Sequence, residues 1–203
     1  MLSALILSGG YGTRIGGDKG LVELGGAPLV KYVAGVLSTV ADELIVSVAA
    51  RKLRAYSNVL GNDPIYVEDE REGIGPLEGL ALGLTHAQGE YVLVSPCDTP
   101  FLRSSVCEAT VDAAMGRDGA VPKTGDKLLE PLHGVYRRKP CADAFRRVIS
   151  DGGRTPRQAY KGLDIVFLEE DFIRSLDPEL VSFWNINSPE DLRKAEAQLE
   201  RLR

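Results

Sequence analysis

Apolar and polar residues alternate along the chain between short unbroken runs and helix-spaced stripes. Residues 1–7 form an apolar run that ends in a glycine pair, which predicts a buried first strand. Behind Pro28, the positions Leu29, Val33, Val36, Leu37 and Val40 recur at helical spacing and predict a helix over 28–41. A strand over 44–49, a short helix over 51–58 and a brief strand over 65–67 come next. Pro76 opens another helix over 76–87 that carries Leu80, Leu84 and Ala87. Valine and leucine content predicts a buried strand over 91–95, with a further helix starting near Arg103. Beyond that point the pattern is less regular. It predicts strands over 120–122 and 131–136, a helix over 142–149, and strands over 165–168 and 183–186. A closing helix is expected with Ser188 as its cap, Pro189 in first position, and Glu190 and Asp191 in its first turn. Strands alternating with helices predict an α/β fold with a mostly parallel sheet. No internal repeat and no linker is evident, and 203 residues with 44% hydrophobic content suit a single domain over 1–203.

The most informative segment follows the first strand: Leu7-Ser8-Gly9-Gly10-Tyr11-Gly12-Thr13-Arg14-Ile15-Gly16-Gly17-Asp18-Lys19. Glycines let backbone N–H groups approach an anion, and Arg14 and Lys19 add positive charge on long side chains. The segment reads as a phosphate cradle suited to a triphosphate. Glycine is common elsewhere, 22 residues in all, so a glycine-rich turn alone is weak evidence. The spacing also matches neither G-x-x-x-x-G-K-[ST] nor G-x-G-x-x-G, which sets aside a P-loop ATPase and a dinucleotide-binding dehydrogenase. What carries weight is the ordered set: strand, G-G-x-G-x-R, G-G-x-K, then Leu24-Gly25-Gly26-Ala27-Pro28-Leu29.

Charge and cysteine usage narrow the class further. A formal net charge of −5 argues against a general nucleic-acid binder. The basic groups Arg137-Arg138-Lys139 and Arg146-Arg147 read as solvated surface. The chain has no long uninterrupted apolar span, and no basic n-region stands before Leu2, so neither a membrane helix nor an export signal is expected. Three cysteines at scattered positions form no zinc spacing and fit reduced thiols in a cytoplasmic protein, with Cys107 and Cys141 as packing residues.

Open α/β sheets bind ligands outside the carboxyl ends of their strands. The loop from Ser8 to Lys19, Asp69 and Asp98 would converge there. Asp98 lies just beyond the fourth predicted strand, between Pro96 and Pro100, where a carboxylate can hold Mg²⁺ against phosphate oxygens. Its structural alternative is an Asp that caps the following turn. Asp69 stands within an acidic run, Glu68 to Glu72, that a solvated surface explains nearly as well.

These residues carry a resemblance. L-S-G-G-x-G-x-R-x-G-G-x-K resembles the signature of the Rossmann-like nucleotidyltransferase superfamily. Gly75-Pro76-Leu77-Glu78-Gly79, Ser95-Pro96-Cys97-Asp98-Thr99-Pro100 and Trp184-Asn185-Ile186-Asn187-Ser188-Pro189-Glu190-Asp191-Leu192 narrow the likeness to molybdenum cofactor guanylyltransferases. The resemblance implies a three-layer Rossmann-like nucleotidyltransferase fold, nucleotide-binding in its N-terminal half and acceptor-binding in its C-terminal half. It implies transfer of the GMP part of GTP to the terminal phosphate of molybdopterin, with pyrophosphate released and magnesium required. Proteins that supply the cofactor and molybdoenzymes that accept the product are the implied partners, with no nucleic acid and no membrane.

On the same footing, Lys19, Arg14 and Asp98 would be catalytic, with Asp98 the metal ligand. Leu7, Ser8, Gly9, Gly10, Gly12, Lys19, Ser47, Asp69 and Asp98 would bind nucleotide. Ser47 or Val48 stands where the family commonly has Asn at the end of the second strand, and a serine hydroxyl reaches less far than an amide. Asn185 and Asn187 match the family's N-x-N-[ST]-P-E segment and would meet the acceptor. Read without the resemblance, they equally suit a turn in which Asn satisfies backbone groups. His133 reads as structural, and His86 as a partner of a helix end. A cytidylyltransferase for the same pterin, a guanylyltransferase for another phosphorylated molecule, and a non-catalytic carrier remain alternatives; Lys19 and Asp98 together argue against the carrier.

Overall fold

The computed structural model describes residues 1–8, 11–12, 17–68, 75–125 and 128–201. Its centre is β1 (Leu2–Ser8), whose Ala4, Leu5 and Ile6 have no solvent exposure. A strand this apolar on both faces needs cover on both, which parallel α/β sheets supply. On one side β1 pairs in parallel with β2 (Glu43–Val48), which pairs in parallel with β3 (Ile65–Glu68). On the other side it pairs in parallel with β4 (Tyr91–Pro96).

The other strands of this sheet are β5 (Gly119–Gly125), β6 (Leu128–Leu129), β7 (Val135–Arg137) and β8 (Ile165–Leu168). The eight-stranded sheet runs β6-β5-β7-β4-β1-β2-β3, with β8 pairing β5 off that path. Strand β7 is antiparallel to both β4 and β5, and β8 is parallel to β5. The sheet is therefore mostly parallel, as the sequence predicts.

Alternation along β1 sorts the core into two layers. Ala4 and Ile6 pack with Val30, Val33 and Leu37 of α1 (Leu29–Val40) and Val106 of α4 (Ser104–Ala114). Leu5 and Leu7 pack with Leu77, Leu80 and Leu84 of α3 (Pro76–His86) and Phe145 of α5 (Arg138–Ser150). Helix, sheet and helix give three layers. Tyr56 of α2 (Leu53–Leu60) joins the α1 side. The C-terminal part adds α6 (Glu170–Leu176) and α7 (Pro189–Arg201).

In the first half the structure adds a 3-10 turn and two-residue strand pairs, Tyr11–Gly12 with Gly17–Asp18 and Glu23–Leu24 with Ala27–Pro28; the larger departures fall in the second half. Residues 131–133 form a 3-10 turn, Pro131–His133, and only Val135–Arg137 is strand, because β7 is short and enters the sheet between two longer strands. Helix α5 begins four residues earlier than the apolar pattern indicates, since its first turn is Arg138-Lys139-Pro140-Cys141. Residues 183–186 are not a strand: a 3-10 turn, Val181–Phe183, leads into an extended stretch with no ladder partner. Helix α6 and the 3-10 helix Pro156–Gly162 were not anticipated. The basic groups are partly engaged rather than freely solvated. Arg137 pairs with Glu90 at 3.0 Å, Arg138 donates to the Ala87 carbonyl, and Arg146 donates to Thr85 Oγ1. All three cysteines are free and buried. Among the described residues no helix is long and apolar enough to cross a membrane.

Candidate active site

After β1 the chain passes to β2 on one side, whereas β4 lies on the other, so strand order reverses between β1 and β4. The carboxyl ends of strands at such a reversal open a crevice. Leu7 and Pro96 are register partners there, and the Cys97 N–H extends the pairing by donating to the Leu7 carbonyl at 3.1 Å. Beyond it, Thr99 Oγ1 donates to the Pro96 carbonyl and the Leu102 N–H donates to the Thr99 carbonyl, closing a tight turn. Asp98 is held in that turn at 5% exposure.

Six of the residues singled out in the sequence line one cavity of about 270 Å³: Leu7, Lys19, Ser47, Asp98, Asn185 and Asn187. Ser47 rather than Val48 faces the crevice, beside its register partner Leu7; Val48 is buried in the α1 layer. Gly75, Pro76 and Gly79 at the start of α3, together with Cys97 and Leu132, complete much of the wall. A roomier hollow, about 580 Å³, lies at the opposite, amino ends of the strands beside Met1, Asp42 and Glu43.

Lys19 opens a 3-10 turn, Lys19–Leu21, and its ammonium donates to Asp98 Oδ2 at 2.9 Å and to Asn187 Oδ1. The pair is largely shielded, with side-chain exposures of 24% for Lys19 and 7% for Asp98. One cation therefore ties together the end of the glycine-rich segment, the end of β4 and the approach to α7.

Asn187 reaches the site because Ile186 beneath it is fully buried with Leu24, Leu29, Phe101 and Ala195, and the Ile186 N–H donates to the Asp98 carbonyl at 2.9 Å. Trp184 stacks on Phe101 at 5.5 Å and fixes the same segment. Asn185 and Asn187, on either side of Ile186, both line the cavity, as alternate positions of the predicted strand would, although the backbone is not a strand. The turn reading holds as well: Asn185 Nδ2 donates to the Phe183 carbonyl at 3.0 Å. Ser188 Oγ accepts from the Asp191 N–H at 3.2 Å and caps α7, while the Asp191 carboxylate accepts from the Asn187 N–H at 3.0 Å. The cap thus orients the residue beside it.

Ser8, expected to offer its backbone to phosphate, has its hydroxyl buried against the Tyr56 hydroxyl, which in turn donates to Asp18. Neither Tyr56 nor Asp18 was picked out in the sequence. Asp18 stands inside the motif as an apparent spacer, and Tyr56 has ordinary core spacing in a short helix. His133 does not line the cavity; it packs edge-on to Phe183, and burial pulls its imidazole pKa down to about 3. His86 sits in the last turn of α3 with Nδ1 3.0 Å from the Leu82 carbonyl. Gly9, Gly10, Arg14 and Asp69 lie outside the described residues, and Gly12 is described only as part of the two-residue strand Tyr11–Gly12.

A doubly wound sheet with a cation–carboxylate pair at its switch point puts the site where α/β sheets bind ligands, and the family comparison supplies the class: an α/β nucleotidyltransferase. The MobA-like NTP transferase domain model matches residues 4–166. The chain is 32% identical over 200 residues to the molybdenum cofactor guanylyltransferase of Desulfosudis oleivorans, covering 98% of this chain and 96% of that one. It is 34% identical over 194 residues to the enzyme of the same name from Pseudomonas aeruginosa, covering 93% and 91%. Among solved structures, molybdopterin-guanine dinucleotide biosynthesis protein A from Archaeoglobus fulgidus superposes with a TM-score of 0.82 at 28% identity, over 98% of this chain and 99% of that one. The chain belongs to the MobA-like NTP transferase family and, within it, to the molybdenum cofactor guanylyltransferases.

Proposed function

We propose that the chain transfers GMP from GTP to the terminal phosphate of molybdopterin, forming molybdopterin guanine dinucleotide and releasing pyrophosphate. An oxygen of the acceptor phosphate forms a bond to the α-phosphorus of GTP as the bond to the pyrophosphate oxygen breaks. The nucleophile is already ionised at neutral pH, so no strong general base is needed. The work left to the protein is positional and electrostatic.

The observation that carries this reading is the Lys19–Asp98 pair at the switch point, bridged by Lys19 to Asn187. It puts one cation between the nucleotide side, formed by Leu7, Ser47 and the start of α3, and the acceptor side, formed by Asn185 and Asn187. We assign Lys19, with Arg14 of the same motif, to charge on the triphosphate and the leaving group. Leu7, Ser8, Gly9, Gly10, Gly12, Ser47 and Asp69 are assigned to nucleotide binding on the family motif.

Magnesium fits the donor set. Among the described residues no cluster of three or more His, Cys, Asp or Glu could hold a metal alone. Mg²⁺ usually takes one or two carboxylates plus substrate phosphates, and Asp98 supplies a hard carboxylate at the crevice. When bound, the ion would offset phosphate charge. Three buried free thiols favour a reducing compartment such as the cytoplasm. The reading also implies a protein that delivers molybdopterin and molybdoenzymes that take the product.

The test is a thermal-shift panel of GTP, CTP, ATP and UTP with and without Mg²⁺, followed by pyrophosphate release with molybdopterin. A ligand at ~100 times its Kd stabilises the fold by about 2.7 kcal/mol, enough to move melting visibly for GTP above the others. A preference for CTP overturns the guanine assignment, and nucleotide binding without turnover makes the chain a carrier.

A further inference from the structure

The Tyr56 side chain has no solvent exposure, yet its hydroxyl lies between two segments that bracket the glycine-rich loop. A phenol has a single proton to donate. That proton goes to Asp18 Oδ1, so Ser8 Oγ is the donor in the Ser8–Tyr56 contact. Burial holds the phenol far above its usual titration range, which keeps the proton in place at neutral pH. Ser8 is the last residue of β1; Asp18 immediately precedes Lys19. One buried hydroxyl thereby joins the point where the loop leaves the sheet to the point where it delivers its lysine.

Gly20 is fitted to this arrangement. A Cβ on Gly20 would collide with the Tyr56 hydroxyl and come within 2.8 Å of Ser8 Oγ, closer than such atoms approach without displacement. The residues on both sides of Lys19 are therefore packed or bonded against the same phenol. Lys19 itself is the group that meets Asp98 and Asn187.

We infer that Tyr56 is a positioning residue for nucleotide binding, fixing the aim of Lys19 by tying Asp18 to Ser8 through its hydroxyl. The inference rests on the nucleotidyl-transfer reading above. It differs from a packing role because the ring alone would satisfy packing, whereas the hydroxyl is what reaches the loop.

The experiment compares Tyr56→Phe with the wild-type chain by calorimetric GTP binding and by steady-state transfer to molybdopterin. Loss of one charge-assisted hydrogen bond should weaken GTP binding about tenfold while leaving the KM for molybdopterin within about twofold. In a Lys19→Ala background the same change should alter GTP binding by less than about twofold, because the group being aimed is gone. Gly20→Ala keeps Tyr56 and displaces its hydroxyl, and should reproduce the selective loss even if Tyr56→Phe folds poorly. A lower melting temperature with unchanged GTP affinity in both variants would show a packing role and overturn the inference. So would an equal loss with and without Lys19. A chain that binds CTP instead of GTP overturns the nucleotide assignment alone, and the cycle run with CTP still decides the role of Tyr56.

Discussion

Replacing Lys19 by Ala separates what the ammonium does for folding from what it does for the reaction. At 2.9 Å and an effective dielectric of ~20, its attraction for Asp98 is about 6 kcal/mol before desolvation. Both groups lose hydration to make the contact, and Lys19 keeps 24% of its side-chain exposure. The net cost to stability should fall near 2 kcal/mol, between the ~0–1 of an exposed pair and the ~3–5 of breaking a fully buried one. For a chain of this size that lowers the melting temperature by about 4–8 °C, so the variant stays folded at assay temperature. Charge that builds on departing pyrophosphate loses a preorganised partner, worth about 3–4 kcal/mol, or roughly 10²–10³ in turnover. The assay is pyrophosphate release at saturating GTP and acceptor, alongside a melting curve. Asp98→Asn should act in the same direction. Turnover of Lys19→Ala within threefold of wild type, with a melting drop of the expected size, would show that the pair serves the fold alone and refute the reasoning.

Three other outcomes are expected. Asp177, which has no exposure, accepts the Ser182 N–H at 2.8 Å and lies 3.2 Å from Arg103 Nε; since Arg103 is half exposed and only the Ser182 N–H is left buried without its acceptor, Asp177→Ala should cost about 1–3 kcal/mol in urea unfolding. Gly75 has φ +85 with open space where a Cβ would sit, so Gly75→Ala should cost about 1–3 kcal/mol through backbone strain alone, read from the same unfolding curves. Burial lowers the His133 pKa to about 3 in the folded chain, so between its unfolded value near 6.5 and pH ~3 the unfolded chain binds the extra proton. Stability should then fall with falling pH by up to ~1.4 kcal/mol per unit, and His133→Leu should flatten that slope. Glu130, raised by burial and 3.9 Å from His133, acts in the opposite sense, so the variant comparison rather than the absolute slope is the test.

Much of the fold was legible because its first half obeys simple patterns. Apolar runs mark β1, β2 and β4, and prolines mark the starts of α1 and α3. The second half is harder to read because its elements are short and their partners distant. Val135–Arg137 is a strand through pairing with β4 and β5, not through its own pattern. The segment around Ile186 shows why side-chain alternation is not proof of a strand. One buried isoleucine between two asparagines gives the same facing pattern when the backbone has no ladder partner. The site was legible where residue type announces chemistry, as at Lys19, Asp98 and the two asparagines. Tyr56 could not be read from its spacing, since a core tyrosine and one whose hydroxyl holds a loop look alike until the fold places Ser8 and Asp18 beside it.

The contact between Lys19 and Asn187 spans 168 positions of the chain. During synthesis the half that carries Lys19 emerges from the ribosome long before Asn187, and the early strands β1, β2 and β3 can pair while the crevice still lacks one wall. A nascent chain halted anywhere before the Asn-Ile-Asn segment would carry the glycine-rich motif without the asparagine wall of the crevice. Until that segment has left the ribosome, the Lys19 ammonium therefore lacks one of the two partners that hold it in the crevice.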